Sequence, residues 1–331
     1  MEFLYVSDWL ESSASSTKGT RDKVVLVKPG TEDTYFLKFP MYKPTRNYRP
    51  ENWSEVIAYE VGAKLGFSVL RYDLAEYHGR VGCISKNMIS TDVESLVEGH
   101  SILSSHDPTY DPADPNTKHL YTFEFVCNAI NHFGYSQYIE HFLRTLIFDA
   151  IIGNSDRHQS NWGIIQSIEV EIKEENASIT ERLLKRKKQG SRRFIFHFKR
   201  RPAPIYDSGC CLGREFSDDV LQQKLNSQAQ IESYIRKGTA ELRLVNAPKK
   251  QSHDNLLRSI MQLDGGKWSK FIKHEIERVV NIYNADEVRE IIYNVDKSFP
   301  HEFYEDYGLS ELRKEFIACV IDKRIKNLTN I

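Results

Sequence analysis

The 331-residue sequence predicts an α+β protein in two lobes, strand-rich in its first third and helical in the remainder. Three observations carry this expectation. Short β-branched and aromatic runs crowd the first 85 residues, helical periodicity takes over from about residue 120, and the two kinds of segment come in blocks. Regular alternation of strand and helix would have pointed to a parallel βαβ sheet, whereas blocks point to α+β. We place the boundary after residue 88, with an N-terminal lobe at 1–88 and a C-terminal lobe at 89–331.

The elements follow in order. FLYV (3–6), KVVLVK (23–28) and TYFLKF (34–39) are short runs of strand-favouring residues between polar or glycine-containing stretches, and read as antiparallel strands. WSEVIAYEVGAKL (53–65) has apolar residues at roughly helical spacing and meets Gly66, a helix with a glycine stop. FSVLRYDL (67–74) and VGCIS (81–85) look like strands again. SHDPTYDPADPNTK (105–118) carries three Asp-Pro pairs and reads as a loop. Helical periodicity then marks 121–131, 137–152 and several helices from 254 to the end, with no internal repeat. Residues 166–201 form a charged excursion, running from acidic EVEIKEEN (169–176) to basic ERLLKRKKQGSRR (181–193), with KRR at 199–201. A solvated, partly helical segment between two strands is the expected form. A patch for nucleic acid or another anionic partner is the alternative, but no aromatic residue interleaves the basic cluster, so nucleic acid is not expected.

Composition narrows the function classes. Forty-five basic residues against 46 acidic ones leave no global field for nucleic acid or an anionic membrane. No apolar run approaches the eighteen or so residues of a transmembrane helix. The N-terminal stretch MEFLYVSDWLESS lacks a basic n-region, which argues against a Sec signal. Five scattered cysteines suit reduced thiols and a cytoplasmic protein, and leave export by a non-Sec route open. The neighbours Cys210 and Cys211 lack the spacing of a zinc or redox motif and read as small packing residues.

The chemistry concentrates in IIGNSDRHQSNWGII (151–165), a polar core between two buried-looking runs. Asp156 and Asn161 are five residues apart, and Asp207 follows in APIYDSG. Protein kinases use this separation for a catalytic base and a metal-binding asparagine, with a later aspartate as the second magnesium ligand. The carboxylate accepts the attacking hydroxyl's proton, and amide and carboxylate oxygens are the hard ligands magnesium takes. Asp207 is expected next to a strand, because FIFHF (194–198) and the IY beside it look sheet-like. Lys38 lies in the strand YFLKFP, where a lysine needs a partner. ATP phosphates plus a carboxylate from the next helix, Glu55, would supply it. SSASSTKGTRDK (12–23) is rich in Ser, Thr and Gly and suited to present N–H groups and hydroxyls to phosphate. Singly, a polar turn, a snorkelling lysine and a plain turn would account for these residues; their shared order argues for a site.

The pieces STKGTRDK (16–23), YFLKFP (35–40), WSEVIAYEVGAKLGF (53–67), IIGNSDRHQSNWGII (151–165), APIYDSGCCLG (203–213) and, more weakly, SELRKEFIACVIDKR (310–324) make the sequence resemble the HipA-like serine/threonine kinases, most closely the CtkA type. The resemblance implies a two-lobed kinase-like fold, use of ATP and Mg2+, and a serine- or threonine-bearing protein substrate. It implies Asp156 as base and Asn161 with Asp207 on magnesium. It implies nucleotide contacts for Ser16, Thr17, Gly19, Lys23, Lys38, Glu55, Lys86, Met88 and His158, with adenine near 86–88. Ser16 falls where the family phosphorylates itself, in a loop that also holds Ser12, Ser13, Ser15 and Thr17. The 166–201 excursion makes the interval from Asn161 to Asp207 longer than the family leads one to expect. An antitoxin or host protein would be a separate partner. A phosphoinositide-type lipid kinase is the first alternative, because its catalytic loop is also D-R-H-x-x-N. A nucleotide-binding pseudokinase acting as an interaction module is the second.

Overall fold

The computed structural model describes residues 1–12, 22–43, 46–47, 49–90, 93–174, 192–247 and 249–331. The first strands form a six-stranded sheet in the order β1 (Phe3–Tyr5), β7 (Asp73–Tyr77), β8 (Arg80–Lys86), β4 (Thr34–Lys38), β3 (Lys23–Val27), β2 (Leu10–Glu11). β3 and β4 pair antiparallel with Lys23 opposite Lys38, and β4 continues onto β8 with Lys38 opposite Cys83. β1 lies parallel to β7, while β7 and β8 form a hairpin through His78 and Gly79. Both turn residues have positive φ, 49° and 79°. That is the mirror-image turn whose twist suits a two-residue hairpin, and glycine takes it without a steric penalty. β5 (Tyr42–Lys43) and β6 (Arg46–Asn47) make a separate short ribbon.

Helix α1 (Pro50–Lys64) packs against this sheet, burying Trp53, Val56, Ile57 and Val61. It starts three residues before the expected Trp53, because Pro50 sits at its first turn, where the missing N–H has no intrahelical partner to lose. It stops as expected at Gly66, whose φ of 75° lets the Phe67 N–H return to the Gly62 carbonyl at 2.9 Å.

The helical part gathers α3 (Phe123–His132), α4 (Ile139–Ile152), α7 (His253–Gln262), α8 (Ser269–Ile282), α9 (Ala285–Asn294) and α10 (Glu311–Leu328). These match the helices expected from 121, 137 and 254 onward. Phe148, Leu143, Ile147 and Ile151 of α4 sit at the centre of the largest core, which also takes in the apolar face of α1. The 107–117 stretch is loop, as its Asp-Pro pairs predict.

Three expectations need correction. The strand expected at 67–74 is displaced to Asp73–Tyr77, because Ser68 and Leu70 hydrogen-bond Ile205 instead of the sheet, at 2.7 and 2.8 Å. The C-terminal part holds a second, three-stranded sheet, β9 (Glu94–Glu98), β10 (Gly163–Glu174) and β11 (Arg192–Pro202), in the order β11-β10-β9. The described ends of the charged excursion are therefore strands, and its partly helical expectation falls on 175–191, outside the described residues. Helices α2 (Gly99–His106), α5 (Asp218–Leu225) and α6 (Gln228–Lys237) are additional. No helix among the described residues is long and apolar enough to cross a membrane.

Candidate active site

Helix α4 delivers the polar loop. Gly153 ends it in the left-handed conformation, φ 70°, and turns the chain into 154–161 before β10 begins. Inside α4, Asp149 is an almost fully buried carboxylate in an apolar run, FDAII. Such a group needs a charged partner, and Arg157 supplies it. Arg157 Nε and Nη2 donate to the two Asp149 oxygens, both at 2.9 Å, and Asn154 Nδ2 adds a third bond at 3.0 Å. The remaining Arg157 donors reach across the loop. Nη1 donates to the Asn161 carbonyl at 2.8 Å and to the Tyr206 carbonyl, while Nη2 donates to Ser208 Oγ at 3.2 Å. Burial disfavours the guanidinium charge, but Asp149 outweighs it and holds Arg157 protonated.

One side chain thus fastens both flanks of Asp207 to the loop that carries Asp156 and Asn161. Asn161 is buried and donates its amide N–H to the Asp156 carbonyl at 2.8 Å. That use of the nitrogen leaves its Oδ1 without a hydrogen bond among the described residues. Asp156 has its N–H on Asn154 Oδ1 at 3.3 Å, and its Oδ2 accepts from the Cys210 thiol at 3.3 Å. His158 lies in the same loop, donating its N–H to the Asp156 carbonyl at 2.8 Å and accepting from the Ser160 N–H on Nδ1 at 3.2 Å.

Asp207 follows a short stretch joined to residues 68–70 by the Val69–Ile205 bridge. Its φ is +55°, a conformation only a few per cent of non-glycine residues adopt. Its Oδ1 accepts from Lys38 Nζ at 3.0 Å, so β4 and the Asp207 turn meet at the site. Burial pushes the Lys38 ammonium down, but the Tyr72, Asp207 and Glu55 oxygens facing it prevail, and its pKa lies well above the lysine value.

The sequence reading paired Lys38 with Glu55, and here the structure differs. Among the described residues Lys38 forms its ion pair with Asp207, while Glu55 Oε2 accepts the Ser208 N–H at 2.8 Å. The reason is the depth of Glu55, which is buried in α1 beneath the 207–209 turn. Burial pushes its pKa up to about 7, with Asp207 and Glu51 adding to the rise and Lys38 and the Ser208 N–H opposing it.

Lys23, opposite Lys38 in the sheet, has its pKa lowered by burial and by the Lys38 charge. Lys86 ends β8 with its ammonium 2.7 Å from Asp33, on the surface. Met88 packs on Ile165, Ala203 and Tyr206, and its carbonyl accepts from Arg201. Ser16, Thr17 and Gly19 lie outside the described residues, with Ser13 and Ser15, whereas Ser12 donates its N–H to the Val25 carbonyl at 2.8 Å.

Sequence reasoning missed Arg157, Asp149, Ser208 and Tyr72. The legible signal was Asp149, a carboxylate inside an apolar helix eight residues before an arginine. Cys210 also corrects an expectation: Cys211 is buried as a packing residue should be, but the half-buried Cys210 thiol touches Asp156 and accepts from Arg214 Nη2 at 3.1 Å.

The site combines a cation on a sheet with a carboxylate and an amide on adjoining loops. Among the described residues no group of three or more His, Cys, Asp or Glu side chains could by itself enclose a metal. Asp207 and Asn161 offer two hard oxygen donors. That is the protein share expected of magnesium, which leaves further positions to phosphates and water.

No family model matches the chain. It is similar to the serine/threonine-protein kinase CtkA of Helicobacter pylori, with 22% identity over 306 residues that span 90% of this chain and 78% of that protein. The crystal structure of the Helicobacter pylori proinflammatory kinase CtkA superposes with a TM-score of 0.73 at 20% identity, over 99% of this chain and 97% of that one. HipA in its complex with HipB and operator DNA from Shewanella oneidensis gives a TM-score of 0.48 at 13% identity, over 96% of this chain and 65% of that one. The fold is thus the two-lobed kinase-like fold of CtkA, with a strand-rich N-lobe and a helical C-lobe.

Proposed function

We propose that the chain is a serine/threonine protein kinase of the HipA/CtkA type, dependent on ATP and Mg2+ and able to phosphorylate itself within its 12–17 loop. The carrying observation is the meeting of Lys38 with Asp207 beside the Arg157-braced loop of Asp156 and Asn161. The division at 88/89 makes the N-lobe the nucleotide-binding half. The similarity to a protein named as a serine/threonine kinase supports a hydroxyl-bearing protein as acceptor.

Each residue then has a task. Lys38 neutralises phosphate charge, and its high pKa keeps it protonated throughout the neutral range. Asp207 and Asn161 would hold magnesium, whose charge would offset that developing on the phosphoryl group. Asp156 accepts the proton of the attacking hydroxyl. Ser16, Thr17, Gly19 and Lys23 border the phosphates, residues 86–88 the adenine, and His158 the catalytic loop. An antitoxin or a host protein is the proposed partner class, and the cytoplasm the proposed compartment.

Transfer of radiolabelled phosphate from ATP to generic protein substrates and to inositol lipids tests the reading. Wild type should label protein and itself. Asp156→Asn should lose more than about nine-tenths of the activity, over roughly 1.4 kcal/mol of barrier, with MgATP binding kept. Labelling of lipid alone would favour a lipid kinase, and MgATP binding without any transfer would favour a pseudokinase.

A further inference from the structure

We propose that the β10–β11 ribbon is a self-association surface, through which two copies of the chain pack face to face. β9 pairs with β10 only as far as Ser167, and from there outward β10 has β11 as its sole strand neighbour among the described residues. The outer pairs are Ile168 with Phe198, Val170 with Phe196 and Ile172 with Phe194. Alternate residues of a strand share a face, so these six apolar side chains lie together. All six are exposed, between 49% for Ile168 and 65% for Phe198.

The other face is quite different. Lys199 pairs with Glu169 at 2.6 Å, His197 with Glu171 at 3.1 Å, and Lys173 with Glu171 at 3.4 Å. That face has an internal charge ladder and is at ease in water. The apolar face has nothing comparable, and a two-stranded ribbon alone is marginal in water. Strand alternation this regular over six residues is what a sheet shows when one face is meant to be covered.

Three arguments favour a second copy as the cover. Between the Gln166–Arg200 and Glu174–Arg192 positions of the register the three pairs carry no charge, so a twofold contact centred on them sets apolar surface against apolar surface. Its three cross-strand pairs are centred on Val170–Phe196, so a twofold axis there overlays each end of one ribbon on the opposite end of the other. Phenylalanine side chains bury about 150–250 Å2 when enclosed and Val or Ile somewhat less, so six that are half exposed offer roughly 600 Å2. Two such faces together would bury about 1,200 Å2, the lower edge of the range for stable interfaces.

Sedimentation velocity over a concentration series of the full chain tests this. Wild type should move from monomer to dimer within the series. Val170→Glu with Phe196→Glu should shift the midpoint at least tenfold towards higher concentration, with circular dichroism and MgATP binding unchanged. Lys199→Glu, on the opposite face, should dimerise like wild type. A wild type that stays monomeric throughout would overturn the proposal. So would a double variant that dimerises as well as wild type. Binding of a monomeric wild type to phosphatidylcholine–phosphatidylserine vesicles, lost in the double variant, would replace the second copy with a lipid surface.

Discussion

Arg157 donates five hydrogen bonds from one guanidinium: two to Asp149, one each to the Asn161 and Tyr206 carbonyls, and one to Ser208 Oγ. A lysine offers three donors from a single point and cannot reproduce that fork. Arg157→Lys should therefore destabilise the protein by about 2 kcal/mol in a denaturant titration, because the charge is kept but buried acceptors lose their donors. It should also lower phosphoryl transfer by at least tenfold, because both flanks of Asp207 lose their brace. Near-wild-type values in both measurements would mean the loop is held by something else. Glu55 makes a pH prediction. Its folded-state pKa is near 7, above the ordinary value of 4.5, so the folded protein retains a proton that the unfolded chain has already released. This residue's contribution must therefore turn against the fold as pH rises from about 4.5 to 7, and level off above. Glu55→Gln removes that component. The thermal midpoint of the variant should gain on wild type across this window in the absence of nucleotide, and a constant difference from pH 4.5 to 8 would contradict the burial argument.

Elements were legible where local chemistry and packing agree. α1 was readable from its apolar spacing and Gly66, the β3–β4 pair from its run of Val, Leu, Phe and Tyr, and α4 from a long apolar pattern ending at Gly153. α3 begins at Phe123 because the Thr122 hydroxyl accepts the Phe125 N–H at 3.2 Å, a cap that shifts the start by two residues from the periodicity alone. β10 was legible only as a strand leading into the charged excursion. Its first half, GIIQS, pairs with β9, but its second half, IEVEIKE, alternates apolar and charged residues that read as part of a charged segment. The alternation is a strand signal of period two, and only its partner β11, with Phe194, Phe196 and Phe198 in the same phase, makes that clear.

Across the whole molecule, the sheet and the helical part are tied together at several points. Lys38 meets Asp207, Trp53 Nε1 donates to the Tyr307 carbonyl at 2.6 Å, and the Tyr5 hydroxyl donates to Glu302 at 2.8 Å. A ligand bound between Lys38 and Asp207 should thus stabilise the molecule as a unit. At an ATP concentration about 100-fold above its Kd the gain should be about 2.7 kcal/mol, read as a rise of several degrees in Tm. On the proposed role of Asn161 and Asp207 as magnesium ligands, the rise should need Mg2+. An equal rise in EDTA would remove the metal role from both.

The sequence by itself determined which segments could be strands or helices and which side chains had the right chemistry, because periodicity, caps and residue type act over a few neighbours. The five-residue step from Asp156 to Asn161 belongs to that class, as it lies within one loop. The tertiary structure alone decided that Lys38 pairs with Asp207 while Glu55 takes the Ser208 N–H. It also decided that Arg157 joins three segments at once, and that Cys210 touches Asp156. Apart from Asp149 and Asn161 beside Arg157, these partners are separated by about fifty to well over a hundred residues in the chain. A buried charge takes whichever counter-charge the packing brings within about 3 Å, because Coulomb energy and desolvation depend on distance in space and not along the chain.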